Sequence, residues 1–249
     1  MPARSPSSNP DIASVPASTW YPFPAPLLQA RFLARPNRFI VIAELNGQPV
    51  RAHCPSPGRL TELLVPDAEL RLHKPPRKGA TEYSLLLIKS GRQWVNIDTQ
   101  VPNRLFQHHL DGGQIPEFGA LKAIKREFTW GRSRFDFHLE RDGRPPVLAE
   151  IKCCNLVDGR MARFPDAVSA RASKHLDELG EARHAGYEPW IVFLITRPDA
   201  DSFSPHRAVD PVFGDALARA HHAGVGVLAI THEVRQRGMR LAGRVPVLL

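Results

Sequence analysis

The sequence predicts a two-domain chain of the α+β and α/β type. A small OB-like β-barrel occupies residues 27–100 and an α/β domain residues 101–249, behind a proline-rich extension at residues 1–26. Three observations carry that expectation. Short strand-like runs with turn punctuation fill the first half, while apolar runs and amphipathic helical stripes alternate in the second. Between them, residues 127–152 read as a hairpin that brings two carboxylates and a lysine together.

The extension holds seven prolines and little periodic apolar content, so it is expected to be disordered, with Trp20, Tyr21 and Phe23 resting on the body. Strands are then expected at 39–45, 50–54, 69–74, 83–89 and 93–97. The Asn46-Gly47 pair between the first two is a strong hairpin signal. About five strands over this length suggest a small barrel, and the OB type is attractive because such barrels often bind nucleic acid. Inside it, Cys54-Pro55-Ser56-Pro57-Gly58-Arg59 reads first as a proline-fixed turn with an exposed arginine; its functional reading is a guanidinium for a phosphate. His53 beside Cys54 lacks a second pair at zinc-ligand spacing.

Residues 101–110 fit a short helix ended by Gly112-Gly113, with His108 and His109 expected at its surface or cap. The hairpin follows. Centred on Gly143, it places Asp136 opposite Glu150, Phe137 opposite Ala149 and Leu139 opposite Val147, and it pairs Phe135 with Ile151 and Arg134 with Lys152. Apolar meets apolar and charge meets charge, a match that a slip of one residue would destroy.

Opposed side chains on paired strands have Cβ atoms about 4.5–5.5 Å apart, so two carboxylates there repel unless a cation lies between them. A hard ion such as Mg²⁺ suits one or two carboxylates, keeps several waters and accepts phosphate oxygens. Lys152 shares the face of Glu150 and could orient a water or neutralise charge on a phosphate.

Phe164-Pro165-Asp166 is expected to open a helix whose buried stripe is Val168, Ala172, Leu176 and Leu179. Arg171, Lys174 and His175 occupy another face, read equally as a solvated charged face or as phosphate contacts. Residues 190–196 and 225–230 are expected to be buried strands, separated by a helix that Asp210-Pro211 caps, that Phe213, Ala216, Leu217 and Ala220 anchor, and that Gly224 ends.

Composition narrows the function. The net charge of +8 and a pI near 9.9 favour an anionic partner, most simply nucleic acid. Three cysteines without a CxxC pair predict free thiols and a cytoplasmic location, and no apolar run is long enough for a membrane span. A small-molecule enzyme has little support, because there is neither a glycine-rich phosphate loop nor a nucleophile elbow.

Six stretches in order, HCPSPGRL (53–60), PNRL (102–105), GRSRFDFHL (131–139), EIK (150–152), ARFPDAVSARASKHLDEL (162–179) and FSP with VDPVF (203–213), resemble the sugar fermentation stimulation protein family. The resemblance covers the chain from about residue 27 onward. It implies an OB-like domain joined to a PD-(D/E)XK restriction-endonuclease-like domain, and a protein that binds DNA or RNA. Asp136, Glu150 and Lys152 stand at that motif's two acids and lysine, with Glu127 as an additional acid. The function it implies is a Mg²⁺- or Mn²⁺-dependent nuclease in which Asp136 and Glu150 hold the metal. In that reading Arg59, Ser133, Arg134, Arg171 and Lys174 contact phosphates. The alternative is a non-catalytic DNA-binding regulator of sugar metabolism genes. Cys153-Cys154 and Ser56-Pro57 depart from the family pattern without removing a proposed catalytic group.

Overall fold

The computed structural model describes residues 19–76 and 79–249; the expectation for residues 1–18 lies outside them. Residues 19–26 lie on the body. Tyr21–Pro22 (β1) pairs with the last strand of the chain, Phe23 is buried, and the guanidinium of Arg237 stands 4.3 Å from the Trp20 ring.

The N-terminal half is a closed five-stranded barrel. It is built from Leu28–Asn37 (β2), Ile40–Leu45 (β3), Gln48–His53 (β4), Glu69–His73 (β5) and Tyr83–Ser90 (β6), and Gln93–Asn96 (β7) extends it beyond β6. Asn46 and Gly47 both take positive φ, 54° and 75°, and so form the tight turn that the β3–β4 register requires. Closure comes from a short parallel pairing of β4 with β6, Ala52 to Tyr83 and His53 to Ser84. The pattern reading omitted β2. It carries Arg31, Arg35 and Pro36 and buries only Ala30 and Phe32, yet its two ends pair with β5 and β3. The run at 93–97 was expected to help make the barrel; β7 instead lies outside the closed ring.

Val101–Asp111 (α1) and a 3₁₀ turn at Pro116–Phe118 lead into Ala123–Trp130 (β8), Ser133–Glu140 (β9) and Val147–Cys154 (β10). Leu156–Asp158 (β11) and Met161–Phe164 (β12) precede Ala170–His184 (α2), Glu188–Ile195 (β13) and Ser202–Pro205 (β14). Pro211–His222 (α3), Gly226–Arg235 (β15) and Gly238–Arg244 (β16) finish the chain. One seven-stranded sheet runs β1-β16-β15-β13-β10-β9-β8, with β10, β13 and β15 parallel at its centre. Leu176, Leu179, Phe213 and Leu217 from α2 and α3 cover one face, and Phe106 and Phe118 with α1 cover the other.

Three local expectations are corrected. Helix α2 starts at Ala170, not at Pro165: β12 pairs in parallel with β14 through Phe164, and Ser169 caps the helix by accepting from the Ala172 N–H. Val168 is accordingly 75% exposed and lies outside the stripe. His109 is fully buried; its ring stacks on His232 with Nε2 atoms 3.0 Å apart. The His232 Nδ1 lies 2.9 Å from the Ile195 carbonyl and the His109 Nδ1 2.7 Å from the Gln114 side chain, and burial holds both rings neutral, with the His109 and His232 pKa values lowered to about 4 and 3.

The hairpin pairs over a shorter ladder than its pattern predicts. Its register is the expected one for Leu139–Val147, His138–Leu148 and Phe137–Ala149, where the ladder ends. The pairings of Asp136 with Glu150, Phe135 with Ile151 and Arg134 with Lys152 do not form. Phe135 turns into the core beneath α2, whereas Ile151 joins the core beneath α1.

Close packing at the sheet centre gives a direct test. Gly226 lies beside Trp190 across the β13–β15 pair, and a Cβ on it would fall 2.3 Å from the indole. Gly226→Ala is expected to lower stability by about 1–3 kcal/mol, read as a reduced urea midpoint with an unchanged slope.

Candidate active site

The site forms where β9 and β10 separate. The Asp136 Oδ2 accepts the Ile151 N–H at 2.7 Å, taking the place of the strand carbonyl that an uninterrupted ladder would supply. Its Oδ1 accepts from the Asn103 side chain of α1, also at 2.7 Å. On the outer side, Glu127 of β8 stands opposite Asp136 with a left-handed φ of 57°, and the same gap interrupts the β8–β9 pairing. Around this pair both strands exchange faces. Arg126 lies over the Phe137 ring, while Phe128 stacks on His138 and packs, like Phe135, beneath α2 and α3.

Glu150 is 3% exposed, and its Oε1 accepts from both the Lys152 Nζ and the His175 Nδ1, each at 2.6 Å. Its Oε2 is buried with no hydrogen-bond partner among the described residues. Such an atom is costly unless something absent from the chain satisfies it. Burial and the neighbouring Glu150 push the Asp136 carboxyl up to about 6. Burial also raises the Glu150 carboxyl, but the bonds from His175 and Lys152 outweigh it and leave the pKa below the usual carboxylate value. The two acids thus titrate apart, the signature of unlike roles for two like groups.

Both acids line a cleft of about 600 Å³ between the barrel and the α/β domain. Ser56, Pro57 and Gly58 of the barrel form one wall; Phe164, Asp166 and Arg171 belong to the other. The walls touch where Gly58 abuts the Asp166 carboxylate so closely that a Cβ would overlap it. Arg38, Arg163 and Arg171 also line the cleft, and none is ion-paired among the described residues. Elsewhere arginines are commonly neutralised, as in Arg160–Asp201 at 2.7 Å and Arg197–Asp199 at 2.6 Å.

Asp136, Glu150, Lys152 and Arg171 are therefore brought together. Glu127 is exposed and ion-paired to Arg134 at 2.8 Å, and neither lines the cleft. Ser133 is buried at the start of β9, Arg59 is exposed on the barrel loop, and Lys174 faces solvent 3.5 Å from Glu178; these three also lie outside the cleft lining. Asn103 and His175 are the residues that sequence reasoning did not assign to the acids. Cys153 lines the cleft, but burial pushes its thiol up to about 12, so it is no thiolate nucleophile at neutral pH.

Among the described residues no group of three or more His, Cys, Asp or Glu side chains is placed to hold a metal ion. Two carboxylates, one with an unpartnered oxygen, suit a hard cation that keeps its waters and do not suit zinc.

Residues 100–238 match the sugar fermentation stimulation protein RE domain, and residues 33–97 match the SfsA N-terminal OB domain. The chain belongs to the sugar fermentation stimulation protein family. It is 42% identical over 208 residues to the family homolog of Moorella thermoacetica, covering 83% of this chain and 90% of that protein. The Pyrobaculum arsenaticum homolog is 37% identical over 228 residues, covering 92% and 97%. A solved structure of Pyrococcus furiosus SfsA in complex with Ca²⁺ matches with a TM-score of 0.85 at 28% identity, over 94% of this chain and all of that one. Both domains of the family are thus present in one chain, the barrel first and the α/β domain after it.

The raised Asp136 carboxyl fixes the sign of a pH effect. Between the ordinary value of 3.8 and about 6 the folded protein binds more protons at Asp136 than the unfolded chain, so stability falls as pH rises through 6. Asp136→Asn is expected to melt higher than wild type at pH 8 in a chelator, by about 1–2 kcal/mol. The difference should vanish near pH 4, as thermal unfolding at the two pH values would show.

Proposed function

We propose that this protein is a divalent-cation-dependent phosphodiester hydrolase acting on nucleic acid. The observation that carries the proposal is the buried, unpartnered Glu150 Oε2 beside Asp136, in a cleft also lined by Asp166 and by Arg38, Arg163 and Arg171, which have no ion-pair partner among the described residues. Asp136 and Glu150 would hold the ion, with Mg²⁺ or Mn²⁺ as the working metals; the Ca²⁺ in the Pyrococcus furiosus relative supports a hard cation here. When bound, such an ion polarises a phosphoryl oxygen and lowers the pKa of a coordinated water.

The chain's own groups account for the rest. His175 and Lys152 hold Glu150 Oε1 and so leave Oε2, which has no partner among the described residues, as the oxygen available to an ion. The Ile151 amide and Asn103 each hold one oxygen of Asp136 and so fix the plane of its carboxylate beside Glu150. Lys152 is 14% exposed at the cleft, close enough to Glu150 to orient an attacking water or to meet charge growing on the phosphate. The arginines neutralise backbone phosphates and make binding fall with salt. The overall charge of +8 adds to that attraction.

Cleavage of labelled single- and double-stranded DNA and RNA with Mg²⁺ or Mn²⁺ tests the proposal. Activity is expected to vanish in chelator, to fall roughly 100-fold or more in Asp136→Asn and in Lys152→Ala, and to rise with pH through about 6 as Asp136 loses its proton. Clean protein that cleaves none of these substrates, yet binds DNA equally well with Asp136→Asn in chelator, would assign the non-catalytic regulator instead.

A further inference from the structure

The tip of the β2–β3 hairpin presents an aromatic ring to solvent. Phe39 is 49% exposed, and the Arg38 guanidinium lies 4.8 Å from its ring centroid. A single exposed aromatic is unremarkable on a protein surface. This one is held in place. The Asn37 side chain accepts the Phe39 N–H at 2.9 Å, and the Phe39 carbonyl accepts the Cys54 N–H at 2.8 Å. The Arg35 guanidinium donates to the Arg38 carbonyl at 3.0 Å and to the Ser56 carbonyl at 3.1 Å, and it also reaches the Arg59 carbonyl. One cation therefore ties the hairpin tip to the barrel loop that walls the cleft.

Arg38 connects the two places directly. Its side chain covers the Phe39 ring and also lines the cleft that holds Asp136 and Glu150. A strand whose phosphate lies at the acids would carry a neighbouring base toward the ring. A planar base gains most from such a platform when it is unpaired, because its face is free to stack, and an arginine beside the ring adds a cation–π contribution and meets the intervening phosphate. The cleft argues the same way. Its walls are in contact at Gly58 and Asp166, which narrows it on that side, and a single strand needs less width there than a duplex.

We propose that Phe39 and Arg38 form a base-stacking subsite that selects a single-stranded or locally unpaired nucleic acid. This rests on the nucleic-acid reading of the acidic site and names the form of its substrate.

The test measures binding by fluorescence anisotropy with the full chain carrying Asp136→Asn, in chelator, so that no cleavage intervenes. The ligands are a labelled single-stranded DNA oligonucleotide and its blunt duplex. Tighter binding of the single strand is expected. Adding Phe39→Ala should weaken single-strand binding about 5- to 150-fold, while Phe39→Trp should retain it and show indole quenching by the bound base. Duplex binding should hardly change with either variant. Equal single-strand affinity for Phe39→Ala and its parent, or a preference for duplex, would overturn the subsite while leaving the nucleic-acid reading intact. If the parent binds neither ligand, both readings fall. Circular dichroism of Phe39→Ala separates a lost contact from a lost fold.

Discussion

The hydrogen bond from the Ile151 amide to the Asp136 carboxylate is the constraint on which the site depends. Two neighbouring strands cannot stay paired and also open a cavity between them, so the ladder must end, and an ending leaves backbone groups without partners. Asp136 resolves this by placing a side-chain oxygen where the next strand carbonyl would have been. The same bond puts a carboxylate deep beside Glu150, which raises its affinity for a proton and, by the same logic, for a cation. The backbone distortion at Glu127 lies directly across β9, so the cost of the opening is shared between two strands.

Around that bond the supporting groups arrive from separate parts of the chain. Asn103 comes from α1, His175 from α2 and Lys152 from β10 itself. Asp136 is held through both oxygens and Glu150 through one, which leaves Glu150 an oxygen with no partner among the described residues. An acid pair held in this way loses little side-chain entropy when it takes a ligand, because its rotamers are already set.

Much of the fold could be read from local pattern. Asn46-Gly47 specified a turn, Asp210-Pro211 specified a helix start, and the alternation of Phe137 and Leu139 against Ala149 and Val147 specified a register. These signals work because each is complete within a few residues. Strand β2 was hidden because a strand that curves between two neighbours shows little alternation and tolerates proline and arginine near its end. His175 and His109 were hidden for a different reason. A histidine on a helix looks like surface until its partner is known, and Glu150 lies 25 residues from the first while His232 lies 123 from the second. Asp136, Glu150 and Lys152 were legible as a group because one hairpin holds all three. Phe135 was not, since its change of face follows from the separation of the strands and not from its own neighbours in sequence.

The barrel and the α/β domain have an obvious border in sequence near residue 97, yet they meet through a shared apolar core. Leu86, Leu87 and Trp94 of the barrel pack with Val101, Leu105, Val234 and Met239 of the other domain, and the Asn96 and Thr196 backbones and hydroxyl bond across the seam. Phe23 from the N-terminal segment closes the same cluster. The barrel's attachment is as much a part of the cleft as its lining, and a gene fragment encoding one domain would produce a chain with one wall of the cleft missing and the shared apolar cluster bare.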